Sequence, residues 1–117
     1  MERILMDLNK TPGIIGSFVI APDGIIIASD YSSDMDEERM GAIISSIINA
    51  TEKAIQKLQM GKLTAFIIEA EQVKIFFQIF KLGFLVTVAH KDANLGLVRV
   101  ETKSAASKLS NIGLSTS

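Results

Sequence analysis

Three strand-forming runs follow one another between residues 63 and 90 with almost nothing between them, and that crowding constrains the fold more than any other feature. Residues 63–70, 73–82 and 84–90 are rich in Ile, Val and Phe, and their connections are Glu71-Gln72 and the single residue Gly83. Connections this short cannot carry a crossover, so each strand pairs antiparallel with the next. Strand side chains alternate faces. In the middle run, Val73, Ile75, Phe77 and Ile79 therefore share one face, while Phe76, Phe80 and Leu82 share the other with Lys74 and Gln78. A sheet with bulky apolar groups on both faces requires cover on both sides. Helices must supply it.

The rest of the chain offers them. Residues 2–10 read as a short helix with Ile4, Leu5 and Leu8 on one face, ended by Pro12-Gly13. Two further strands are predicted over 14–21 and 25–29. Between them lies Pro22-Asp23-Gly24, where Asp-Gly is expected to supply the positive φ angles of a tight hairpin. A long helix is predicted over 35–60. Ser33, Asp34 or Asp36 can cap its start, an acidic first turn suits the helix dipole, and Gly61 is the expected stop. Its apolar positions, among them Met40, Ile43, Ile44, Ile47, Ile48, Ala54, Ile55 and Leu58, keep helical spacing along one stripe. After a polar loop, Asn94 caps a last helix predicted to run to about Leu109, and residues 110–117 are expected to fray. The order is α-β-β-α-β-β-β-α in one domain over 1–117. The fold class is α+β, with a five-stranded antiparallel sheet between one long helix and two shorter ones.

Composition narrows the function. The chain has 117 residues, is 48% apolar and carries a net charge of −1 with no cysteine; its mean hydropathy is +0.34. That much apolar surface in one small domain hints at an interface between chains. Lys and Arg are scattered, so the basic face that nucleic acid or an anionic membrane requires is missing. Without cysteine there are no disulfides, thiolate metal sites or cysteine nucleophiles. Charge interrupts the first residues, so they do not form a secretory leader, and no apolar run approaches a membrane span. A cytoplasmic protein without direct membrane insertion is expected.

No enzymatic constellation assembles. His90, the only histidine, has no cysteine partner and no evident carboxylate to orient it, and no Gly-x-Ser-x-Gly turn exists. Asp34, Asp36 and Glu37 lack the glycine and distal glutamate of a calcium loop, so no metal is expected there. Gly61-Lys62 is followed by Leu63 and lacks the preceding glycine of a phosphate loop, so the chain is not itself a nucleotide hydrolase. Arg39, which has the chemistry of an arginine finger, reads as a solvated helix residue. No cofactor is expected.

The informative residues lie on the long helix and the first meander strand. Ala42, Ser45, Ser46 and Asn49 fall opposite the apolar stripe and are all small and uncharged; one turn later the same face becomes Glu52, Lys53, Gln56 and Lys57. An exposed helix face ordinarily carries Lys and Glu throughout, so the small stretch admits close approach of a second helix. The strand at 63–70 is paired on one side only and has neither proline nor inward lysine to protect an open edge. Pairing of this chain with itself, through Ala42, Ser45, Ser46, Asn49, Leu63, Ala65 and Ile67, answers both features.

In element order and turn residues the chain resembles the roadblock family, which includes dynein light chains and bacterial gliding-motility GTPase regulators. The resemblance covers about residues 13–100. It rests on Gly16-Ser17-Phe18-Val19-Ile20, Asp23-Gly24-Ile25-Ile26-Ile27-Ala28-Ser29, Gly83-Phe84-Leu85-Val86-Thr87-Val88 and Asn94-Leu95-Gly96-Leu97-Val98-Arg99. It implies a non-catalytic homodimer, paired through the long helix and the following strand, that binds and regulates a small Ras-like GTPase, including as an allosteric activator of its hydrolysis. The alternative it leaves open is a scaffold subunit of a larger complex with no GTPase partner. A ligand-sensing sheet domain is a further reading, against which Phe76, Phe77, Phe80 and Phe84 look like core filling.

Overall fold

A computed structural model describes residues 1–31 and 36–115. The elements are α1 (Glu2–Leu8), β1 (Ile14–Ile20), β2 (Ile26–Asp30), α2 (Glu37–Leu58), β3 (Ala65–Glu69), β4 (Val73–Phe80), β5 (Gly83–His90) and α3 (Leu95–Ser115). The five strands form one sheet in the order β2-β1-β5-β4-β3, antiparallel at every pairing. The expected element order and sheet are those observed.

Strand alternation sorts the core into two layers. On one face Leu5 and Leu8 of α1 and Ala105, Ala106 and Leu109 of α3 pack against Val19, Ala28 and Leu85. Phe76 and Ala89 meet Val98 of α3 on the same side. On the opposite face Ile44 and Ile48 of α2 pack with Phe18, Ile20, Phe77, Phe84, Val86 and Val88. The alternation expected for β4 is therefore observed, except that Leu82 lies in the β4–β5 turn beyond the strand.

Side-chain hydrogen bonds lock α1 to the first hairpin. Ser17, fully buried on β1, donates through Oγ to Asn9 Oδ1 at 2.9 Å. Asn9 Nδ2 donates in turn to the Asp30 carbonyl and to Asp30 Oδ2, each at 2.7 Å. On the same face Thr102 Oγ1 of α3 lies 3.2 Å from Thr87 Oγ1 of β5, which satisfies both buried hydroxyls.

Three local expectations are corrected, and one of the three candidate caps is singled out. In the first hairpin only Gly24 has positive φ. Pro22-Asp23-Gly24 is a three-residue loop, with the Gly24 N–H donating to the Ala21 carbonyl and the Ala21 N–H to that of Ile25. Proline at the first loop position favours this form over a two-residue turn. Helix α2 ends at Leu58, and its left-handed cap is Gln59, φ 55°, two residues before Gly61. Its N-cap is Asp36, which accepts the Glu38 N–H at 3.0 Å; Ser33, Asp34 and Met35 lie outside the described residues. Finally, α3 continues past Leu109 to Ser115, because Ile112, half-buried, extends the face of Val98, Ala105 and Leu109 by another turn.

Candidate interaction surface

The apolar stripe of α2 is wider than the sheet beneath it can cover. Gly41, Ile44 and Ile48 are buried, and Met40, Ile47, Thr51 and Ile55 half-buried. Ile43, Ile47, Ala50, Ala54 and Leu58 recur at intervals of three and four and so share one flank. Along that flank Ile43 is 46% exposed and Leu58 59%, and Ala50 and Ala54 are exposed. Where the sequence expects Ile43, Ala54 and Leu58 to face the sheet, the structure leaves them outside.

The offset has a local cause. Gly41 of α2 sits against the Gly24 carbonyl at the tip of the first hairpin, where an added Cβ would collide with that oxygen. This glycine-to-glycine approach draws α2 toward β1 and β2, and the Ser29 hydroxyl donates to Glu37 Oε1 at 2.9 Å on the same side. At the far side of the face, Phe66 and Ile68 of β3 and Val73, Ile75 and Ile79 of β4 are only half-buried. Phe66 stacks on Phe77 with ring centroids 4.2 Å apart, a contact that fixes the β3 surface without covering it. The uncovered part of the α2 layer thus adjoins β3.

β3 is the edge of the sheet, as expected from its unprotected sequence. Its five residues pair with β4 without a bulge, and Ile67 is 40% exposed on the face opposite α2. The seven residues expected at a self-pairing interface do not all lie alike. Ala42, Ser46 and Asn49 are exposed on α2, Ile67 is exposed on β3, and Ala65 and Leu63 are half-buried, with Leu63 in the loop before β3. Ser45 turns the other way: its Cβ and Oγ lie 3.2 Å from where a Cβ on Gly24 would stand. It lines the contact between α2 and the hairpin. The flank of Ile43, Ala50, Ala54 and Leu58 was legible as apolar, but its uncovered position was not.

The residues considered for chemistry are dispersed. His90 closes β5 with its side chain exposed; the Asp92 N–H donates to its Nδ1 at 3.2 Å, and Asp92 Oδ2 lies 3.6 Å from the same atom. Asp92 is thus a carboxylate beside the histidine that was not expected, but both side chains stand in solvent. Asp36 caps α2 and Glu37 accepts from Ser29, while Arg39, Gly61 and Lys62 are exposed at opposite ends of α2. Among the described residues no group of three or more His, Cys, Asp or Glu is placed to hold a metal, and no helix is long and apolar enough to cross a membrane.

A family model for the Roadblock/LC7 domain matches residues 1–89. The chain belongs to the roadblock/LC7 family. Protein MJ0310 of Methanocaldococcus jannaschii is 38% identical over 109 residues, spanning 93% of this chain and 96% of that one. Among solved structures, MglB of Myxococcus xanthus superposes with a TM-score of 0.90 at 19% identity, covering 97% of this chain and 94% of that one. A roadblock/LC7 domain from Streptomyces avermitilis gives 0.88 at 14% identity, covering 97% and 98%. At these identities the two structures establish a shared fold. The roadblock resemblance read from the hairpin, the meander and the Asn94 cap is thereby confirmed.

Proposed function

We propose that this roadblock/LC7 chain is a non-catalytic, cytoplasmic homodimer that binds and regulates a small Ras-like GTPase. The observation that carries the pairing is the continuity of two unfinished surfaces: the apolar flank of α2 and the bare β3 edge. A second copy related by a two-fold axis covers both at once, helix on helix and strand on strand. Ala42, Ser46 and Asn49 beside the flank allow the two helices to approach closely, and Leu63, Ala65 and Ile67 border the strand pairing.

The GTPase part rests on what roadblock membership implies. With no catalytic group assembled among the described residues, the reading that membership favours is regulation by reshaping the partner's switch regions. Two measurements test the proposal. Light scattering after size exclusion should give twice the 12.7 kDa chain mass; a monomer at micromolar concentration would end the pairing argument. Single-turnover GTP hydrolysis by a Ras-like GTPase of the same organism should change when the chain is added. Binding with unchanged hydrolysis and exchange would remove the regulatory role, and no binding would favour the scaffold reading.

A further inference from the structure

The face opposite α2 carries a second opening. Helix α3 lies across β4 and β5 and leaves β3 beyond its reach, so a groove of about 170 Å³ remains between them. Phe76, Ala65 and Ile67 form its apolar lining, with Gln78, Thr102 and Arg99 around them. Two of these polar groups are already held. Gln78 Nε2 donates to the Thr64 and Ile79 carbonyls at 3.2 and 3.0 Å, and the Thr102 hydroxyl is bonded to Thr87. Arg99 is exposed and has no ion pair or side-chain hydrogen bond among the described residues. Its guanidinium is the groove's free charge.

The surrounding charges reinforce it. Lys103 follows Arg99 by one helical turn on the same flank of α3. Lys74 shares the α3 face of β4 by alternation with Phe76, and its registered neighbour Glu69 is the only carboxylate that β3 and β4 add to this side. Glu101 of α3 faces the other way, lining a cleft with Asp7 and Lys108 beside α1. Arg99 thus lines an apolar slot the size of a side chain or two, with Lys103 on the same flank of α3 and the Lys74–Glu69 pair further along the same face of the sheet.

We infer that this groove receives a short segment of a partner protein in which carboxylates flank a bulky apolar side chain. The apolar group seats on Phe76 and Ile67, and a carboxylate pairs with Arg99, whose planar fork suits bidentate recognition. The groove shares Ala65 and Ile67 with the proposed strand pairing but no residue with the apolar flank of α2, so a client held here leaves that flank free.

The test is a titration of the full-length, isotope-labelled chain followed by NMR. The probe is a soluble peptide alternating leucine and glutamate, with a leucine–lysine counterpart as control. The acidic peptide should shift the Ile67, Gln78 and Arg99 amides and bind about tenfold more tightly than the basic one, as one charge-assisted contact implies. Arg99→Glu should reverse that preference, and Lys103→Glu should reduce it by a smaller factor. Equal binding of the two peptides, shifts centred on α2, or no binding at millimolar concentration would overturn the inference. The amide spectrum of Arg99→Glu verifies folding, and its unchanged mass by light scattering separates this outcome from a failure of self-pairing.

Discussion

At one edge of the sheet, β2 is bulged and flanked; at the other, β3 is straight and bare. Between the pairs Val19–Ala28 and Ile20–Ile26 the register slips, leaving Ile27 unpaired and bending the strand. Glu37 of α2 holds Ser29 beside it, and Asn9 from the end of α1 binds the backbone and side chain of Asp30. β3 has no bulge, and none of the side-chain hydrogen bonds among the described residues comes from its own side chains. An unprotected edge is an aggregation hazard unless something covers it. One sheet thus closes one edge with its own parts and leaves the other open, and it is this open edge that the proposed pairing would cover.

The largest way to break this contrast is at the glycine contact that draws α2 toward the closed edge. Gly41→Leu should cost about 3 kcal/mol or more of unfolding free energy, because the new side chain meets the Gly24 backbone, which cannot yield as a side chain would. Urea denaturation measures the loss. The two edges can then be compared directly by placing one charge on each. Ile67→Arg on β3 should weaken self-association by about 2 kcal/mol, roughly thirtyfold, while Ile27→Arg at the bulge leaves it unchanged. Sedimentation equilibrium over a dilution series reads both; equal effects would erase the distinction.

Smaller effects sharpen the closed side. Asn9→Ala removes three side-chain hydrogen bonds around Ser17 and Asp30 and should cost about 1–3 kcal/mol, since it strands a buried hydroxyl. Thermal unfolding reads the loss, and the chain mass should not change. Asp36→Ala removes the α2 cap and should cost about 1 kcal/mol, visible as a modest fall in the denaturation midpoint.

Much of this was legible before any coordinates. The meander followed from connections too short to cross over, and the two faces of β4 from simple alternation. The last helix's start followed from Asn94, whose Oδ1 accepts the Leu97 N–H at 3.0 Å. What was not legible depends on residues far apart in the chain meeting at one place. Spacing puts Ile43 and Leu58 on the apolar side of α2, but only docking on Gly24 decides which flank of that side reaches the sheet. The same docking seats Ser45 against the hairpin and leaves Ser46 exposed, although both read as members of one small-residue face. The bulge at Ile27 has no propensity signal at all. Ile47 illustrates the difference in energy. Half-buried, it loses less on truncation to alanine than Ile48, which is 1% exposed and should cost about 2–5 kcal/mol in urea denaturation.

The strand order has a consequence for how such a chain comes into being. β1 lies between its hairpin partner β2 and β5, the last strand to be made. Ile20 finds its place beside Phe84, and Ile14 beside Ala89. During synthesis the β5-facing edge of β1 must therefore stay unpaired until residues 83–90 have emerged, even where α2 already covers Phe18 and Ile20. Contacts so distant along the chain form slowly, and a waiting hairpin is exposed to misassociation. The last strand to arrive thus fastens the first.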